Sequence, residues 1–152
     1  AVVLPHSFML VLFPTLVEEY HSDRPQFKDR FKKALAMYTL IGGSIALALW
    51  VFSQGIITLM YGDTFLPSIS VLNILSGVVL LFFINFLLSN ILIISGRERI
   101  NTWNLVGATV LNVILNLALI PLYGGIGAAW ASLFCEAGLI AVLSLQVRKL
   151  LK

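Results

Sequence analysis

Glu136 is the only acidic side chain that lies well inside a long apolar stretch of the sequence. If that stretch crosses a bilayer, an unpaired carboxylate near its centre costs several kcal/mol, so the side chain should face protein or water. Two interpretations stay open. Glu136 either contacts a substrate or a proton in a polar cavity, or packs against another helix and bonds to an Asn, Ser or Trp. At about 100° per residue it shares a helix face with small residues, which favour a close helix-helix seam: Gly125, Ala129 and Ser132.

A second polar feature is a set of asparagines in the preceding apolar stretch. At about 100° per residue, Asn101, Asn104, Asn112 and Asn116 fall within an arc of about 120°. Such a stripe either lines a hydrated cavity, where amides bind sugar hydroxyls or phosphate, or fastens neighbouring helices through hydrogen bonds. The candidate substrate-cavity residues are therefore Asn104, Asn112, Asn116 and Glu136.

Half of the ten Lys and Arg residues lie in one polar segment, residues 18–33. They are either candidates for binding lipid headgroups or determinants of topology that are attracted to anionic lipid. Apolar residues recur every fourth position from Phe27 to Leu35, and Asp23 and Pro25 form a helix-start signal, so we predict a polar loop that contains a short amphipathic helix on the membrane surface. The candidate headgroup ligands are Arg24, Lys28, Arg30, Lys32 and Lys33.

The residue types needed for catalysis or metal binding do not occur together. Cys135 is the only cysteine, and His6 and His21 lie in different segments without partners at ligand spacing. The sequence also lacks paired carboxylates, a glycine-rich phosphate loop and a nucleophile beside a base. We therefore predict no catalytic residue, no metal, no cofactor and no enzymatic activity.

The composition predicts the elements that position these residues. Hydrophobic residues make up 59% of the 152, and charged residues make up only 11%, against about 25% in ordinary soluble domains. Several apolar stretches exceed the roughly 18 residues needed to cross a bilayer. We predict an all-α, polytopic membrane protein with about five transmembrane helices that are separated by turn residues. The predicted spans are residues 1–17, 34–60, 68–95, 101–120 and 126–147. Within the second span, Gly42 and Gly43 predict a soft break, and Pro121 is expected to stop the fourth.

The basic residues predict the topology. Successive segments between the spans hold five, none, two, none and three Lys and Arg residues. Because basic segments stay on the cytoplasmic side, this alternation predicts a multi-pass protein of the cell membrane with a cytoplasmic C-terminus. It also explains the net charge of +3 without nucleic acid as a partner. Three regions follow: the end of a truncated transmembrane helix (1–17), a cytoplasmic basic loop with an amphipathic helix (18–33) and a four-helix C-terminal membrane region (34–152).

The order of short motifs resembles the polysaccharide biosynthesis C-terminal region of flippases in the multidrug/oligosaccharidyl-lipid/polysaccharide exporter superfamily. The matching segments are LFP at 12–14, LMYGDTF at 59–65, SGR at 95–97, NVILN at 112–116 and LIPLYGGIGAAWA at 119–131.

The resemblance implies part of a two-bundle transporter that moves lipid-linked oligosaccharide or polysaccharide precursors by alternating access. Its partners would be membrane lipids, the lipid-linked glycan and the missing N-terminal helices of the same protein. Two alternatives remain: a cation-coupled exporter of small molecules in the same superfamily, for which more intramembrane acids than Glu136 are expected, or a structural membrane subunit that transports nothing.

Overall fold

The computed structural model describes residues 3–151, and the predicted all-α fold is confirmed within them. No strand occurs in this part of the chain, and the regular elements are five α-helices and one short 3₁₀-helix: α1 Val3–Ser22, α2 Arg24–Val51, α3 Ser53–Tyr61, the 3₁₀-helix Asp63–Phe65, α4 Ser68–Ile94 and α5 Glu98–Leu151. Residues 1 and 2, where the first predicted span begins, and Lys152, where the predicted C-terminal region ends, lie outside the described residues.

The polar segment 18–33 is helical on both sides of Asp23, so its prediction as a loop is wrong. α1 continues to Ser22, and α2 begins at Arg24, so Asp23 is the one residue between them. The Asp23 carboxylate accepts a 3.0 Å hydrogen bond from the backbone N–H of Gln26, and Pro25 occupies the first turn. An Asp cap and an early Pro start a helix efficiently, because they satisfy or remove N–H groups that lack intrahelical partners. The predicted helix start is therefore confirmed, but the amphipathic turns continue directly into the apolar part of α2.

Gly42 and Gly43 do not interrupt α2, contrary to the soft break expected from their sequence. The helix runs through them to Val51, and a break at Phe52 separates it from α3. Instead, α4 packs closely against α2 at Gly42, where a methyl group would lie 2.9 Å from Cβ of Phe83. Small residues allow this close approach of two helices.

α4 is the central helix of the fold. Its buried side chains Phe83, Leu87 and Ile91 pack in one apolar cluster with residues of α1, α2 and the end of α5. The helix ends in a Schellman motif, in which Gly96 has φ of 71° and the N–H of Arg97 donates to the carbonyl of Leu92.

α5 is a hairpin of two helical arms rather than one straight rod. Gly124 has the non-helical angles φ 58° and ψ −136°, and it separates a first arm (98–123) from a second arm (125–151). Asn104 and Gln146 exchange two side-chain hydrogen bonds of 2.7 and 3.2 Å, so the arms lie side by side. Pro121 lies inside the first arm and does not end it, so the expected stop at Pro121 is wrong. The chain reverses at Gly124, between the predicted fourth and fifth spans.

The helix directions bring the basic segments to one end of the bundle. Arg24 Nη1 donates to the carbonyl of Leu150 at 3.3 Å, which joins the start of α2 to the end of α5. At the other end, a methyl group on Gly125 would lie 3.7 Å from Cγ2 of Val71, near the start of α4. The turn at 95–97 therefore shares the end that holds Arg24, and the turn at 62–67 shares the end that holds Gly124.

Three helices of the described residues are long and apolar enough to cross a membrane: α2, α4 and α5. Because α5 bends at Gly124, each arm has about 27 residues and a length of about 40 Å, which matches a bilayer with its headgroups. α1 is not among these helices; it contains Pro14, Glu18 and Glu19.

Candidate functional site

Glu136 on the second arm of α5 is bonded to Asn85 on α4. Asn85 Nδ2 donates to Glu136 Oε2 at 2.5 Å and to the backbone carbonyl of Glu136 at 2.9 Å. Asn85 is 4% exposed, whereas Glu136 is half-buried. The amide thus fixes the carboxylate at mid-helix depth and relieves its burial, since a buried polar group without a partner costs more than one that is hydrogen-bonded.

This pair joins two apolar helices along the small-residue seam predicted for the second arm. Ala129 is buried at the seam, and a methyl group on Gly77 of α4 would lie 3.4 Å from Cδ1 of Leu133. The seam faces α4, so Glu136 bonds to Asn85 and not to the asparagine stripe of the first arm, which is closer in sequence. The two arms contact each other through a different face of the hairpin, where Asn104 bonds to Gln146.

Glu136 also borders a groove of about 320 Å³ between the arms and α4, the Glu136 groove. Polar groups from both arms reach it, while the remaining lining is apolar. The Thr109 and Ser132 hydroxyls donate to the carbonyls of Leu105 and Ala128, so their oxygens remain able to accept hydrogen bonds. The lining residues are Val78, Leu105, Ala108, Thr109, Asn112, Ser132, Cys135, Glu136 and Leu139.

The asparagine stripe is divided among three environments. Asn112 lines the Glu136 groove, and Asn116, one turn away, donates to its side-chain oxygen at 2.9 Å. Asn104 pairs with Gln146 and borders a neighbouring, mostly apolar cavity of about 330 Å³. Asn101 is buried, and its Oδ1 has no hydrogen-bond partner within residues 3–151. Of the four candidates for a substrate cavity, the structure therefore brings Asn112 and Glu136 together, with Asn116 behind Asn112.

Asn85 is not among the predicted site residues, because the three asparagines of α4, Asn73, Asn85 and Asn90, share no helix face. Asn90 indeed bonds locally, to the carbonyl of Phe86 at 2.7 Å. The available signal for Asn85 was its depth, since it is the only polar residue between Gly77 and Ser89. A lone amide at the centre of an apolar helix requires a partner at the same depth on another helix.

The five basic candidates of residues 24–33 also differ in their surroundings. Arg24 bonds to Leu150 and lies with its guanidinium carbon 4.2 Å from the centre of the Tyr20 ring. Arg30 forms a 2.6 Å ion pair with the buried carboxylate of Glu19 on α1. These two cations therefore fasten helices together, whereas Lys32 and Lys33 are exposed and Lys28 is half-buried.

Within residues 3–151 no group of three or more His, Cys, Asp or Glu side chains could hold a metal ion. Cys135 is a buried free thiol at the edge of the Glu136 groove. No family model matches the chain, and neither the curated proteins nor the solved structures include a significant match to it.

Proposed function

We propose that this chain forms one wall of a membrane transporter that moves a lipid-linked oligosaccharide or polysaccharide precursor across the cytoplasmic membrane. The observation that carries the proposal is a carboxylate at mid-helix depth, held by Asn85 and open to a groove that also contains amide and hydroxyl groups. Intramembrane acids are rare and costly, and those that persist commonly line a pathway for a substrate or an ion.

The exposed surface supports insertion into a bilayer. Large apolar side chains such as Val110, Val113 and Leu117 cover the outer face of the first arm, and Leu117 is 73% exposed. A soluble protein rarely leaves a continuous apolar surface of this kind in water. In the bilayer, α2, α4 and the two arms of α5 would make four passes, with α1 as the proposed fifth.

The common end of the basic segments supports the proposed orientation. Arg24, Arg97 and Arg148 would lie at the cytoplasmic face, as would the C-terminus, since Lys and Arg are retained on that side. Asp63 and the Gly124 bend would lie at the outer face.

The chemistry of the Glu136 groove suits a polar headgroup. The carboxylate of Glu136 and the hydroxyl oxygens of Thr109 and Ser132 accept hydrogen bonds, and the amide of Asn112 offers both donors and an acceptor. Sugar hydroxyls require partners of both kinds. Transport of this sort changes no covalent bond. It requires only that the headgroup moves through the protein while the lipid tail stays in the bilayer.

A substitution in the complete gene product tests the proposal in cells. Glu136→Gln keeps the shape of the side chain and an oxygen that accepts from Asn85, but it removes the ionisable group. We expect normal protein levels in the membrane, loss of surface glycan and accumulation of its lipid-linked precursor. The matched control is Glu98→Gln, the same change at an exposed position outside the groove. Unchanged export in the Glu136 variant would reduce Glu136 to a packing residue.

The second candidate function is cation-coupled export of small molecules. Its supporting observation is the volume of the Glu136 groove, about 320 Å³, which is at the lower end of pockets for drug-sized ligands. A glycan headgroup needs additional walls from other helices. Efflux of a cationic dye, measured in the same cells, separates the candidates: dye efflux that depends on Glu136 while surface glycan does not would favour the exporter.

A further inference from the structure

The exposed side of α2 carries a groove of about 440 Å³ that the proposed transport does not use. Its lining residues, Lys32, Leu35, Ala36, Thr39 and Leu40, define the Lys32 groove. Leu35, Ala36, Thr39 and Leu40 follow Lys32 by three, four, seven and eight residues, so all five share one helix face. Because Ala36 and Thr39 are small and their neighbours are long, the helix surface is indented between Lys32 and Leu40.

The Lys32 groove lies where α2 changes from charged to apolar. The last cation of the basic segment is Lys33, and the next nineteen residues, 34–52, contain no charge. Leu40 is 71% exposed, and Ala36 and Thr39 are exposed as well. In a bilayer, this position places Lys32 at headgroup level and the apolar side chains beside the first part of the acyl chains.

The contacts of the other cations distinguish Lys32 from its neighbours. Arg24 and Arg30 are bonded within the protein, to Leu150 and Glu19. Lys33 borders a different, polar pocket that also contains the carboxylate of Asp29. Lys32 directly borders an apolar groove, and Lys28 precedes it by one turn on the same face.

We infer that the Lys32 groove binds an anionic glycerophospholipid, with the headgroup phosphate at Lys32 and one acyl chain along Ala36, Thr39 and Leu40. Charge complementarity favours this occupant, since a zwitterionic lipid fills the apolar part equally well but gains less from the ammonium group. The inference rests on the membrane insertion proposed above and is independent of transport.

Site-directed quenching tests the inference on the full chain in vesicles. A bimane label is attached at Thr39→Cys, with Cys135→Ala to leave one thiol, and the protein is reconstituted in dioleoylphosphatidylcholine. Brominated phosphatidylcholine and brominated phosphatidylglycerol are then compared as quenchers. We expect the relative binding constant to favour phosphatidylglycerol by about fivefold, the contribution of one interfacial cation.

Two charge-matched variants decide whether the preference belongs to the groove. Lys32→Gln should bring the ratio close to one, whereas Lys33→Gln, which removes the same charge from the adjacent helix face, should leave it unchanged. If both variants lose the preference for phosphatidylglycerol equally, a diffuse surface potential explains it and the site is refuted. A binding-constant ratio of one in the parent protein would refute the site as well.

The remaining outcomes separate this inference from the proposed function. If the protein floats with the vesicles but neither brominated lipid quenches the label, another protein segment covers the groove and the lipid site is refuted while insertion stands. Failure to float with vesicles in a density gradient would refute membrane insertion itself, and the proposed function with it.

Discussion

Gly127 on the second arm of α5 packs against the backbone of the first arm at Leu119, so replacing it with alanine tests the hairpin. A Cβ at this position would be 2.3 Å from the carbonyl oxygen of Leu119 and 2.7 Å from its carbonyl carbon. Both atoms belong to the backbone and cannot rotate away as a flexible side chain could. Overpacking of this kind costs about 1 to 3 kcal/mol, and the upper end applies because the arms must separate.

The conformational effect of the substitution has the opposite sign. Alanine in a helix is favoured over glycine by about 1 kcal/mol. The net expectation for Gly127→Ala is therefore a loss of about 2 kcal/mol in the free energy of unfolding. Gly138→Ala is the matched control on the same arm, because nothing lies within 4 Å of its Cβ position and only the favourable contribution remains.

Reversible unfolding by SDS in mixed micelles measures both variants. Trp103 and Trp130 lie on opposite arms and Trp50 lies on α2, so intrinsic fluorescence reports on the unfolding of the hairpin together with α2. We expect Gly127→Ala to unfold at lower SDS than the parent protein and Gly138→Ala at equal or higher SDS. Equal stability of the two variants would refute the close approach at Leu119.

A thiol crosslink between Asn104→Cys and Gln146→Cys gives a second measure of the hairpin. The side chains of these residues are in hydrogen-bond contact in the structure. In an unbroken helix, their sequence separation of 42 would place them about 63 Å apart. A short bifunctional reagent should therefore crosslink the double variant, and failure to do so would contradict the hairpin.

Three further predictions test other parts of the fold. Gly42→Ala should destabilise the protein by about 1 kcal/mol, measured by SDS unfolding, because the added methyl group would meet Cβ of Phe83 at 2.9 Å and this overpacking outweighs the better helix propensity of alanine; unchanged stability would contradict that packing. Asp23→Ala should cost about 1 kcal/mol through loss of the α2 cap, and it should lower helix content at the start of α2, whereas identical amide exchange there would argue against the cap. Single cysteines at Asp63 and Glu98 should react with an impermeant thiol reagent from opposite sides of the membrane, and labelling of both from one side would disprove the proposed topology.

Local signals in the sequence predicted the helices well, because they depend on nearby residues. The apolar stretches, the Asp23 cap and the turn near Gly124 are set by composition, capping and backbone freedom. The same local signals misplaced two breaks. Gly42 and Pro121 usually weaken a helix, but packing against Phe83 and the surrounding helical turns maintain it here.

The site was predicted less completely, because its partners are distant in sequence. The need of Glu136 for a polar neighbour follows from the cost of a buried carboxylate, and an asparagine is that neighbour. Its identity as Asn85, 51 residues earlier, depends on which face of the hairpin meets α4. The same geometry divides the asparagine stripe, since Asn104 turns toward Gln146 while Asn112 faces the groove.

Reconstituted transport tests directly whether Glu136 takes part in moving a lipid-linked glycan, as proposed above. Vesicles containing the complete gene product and a fluorescent lipid-linked oligosaccharide are treated with an impermeant sugar-modifying enzyme, and the rate at which protected substrate becomes accessible is recorded. We expect transport by the parent protein and by Glu98→Gln, with a rate about tenfold lower for Glu136→Gln, the effect of losing one charge-assisted hydrogen bond. Transport no faster than in protein-free vesicles, or an unchanged rate in the Glu136 variant, would contradict it.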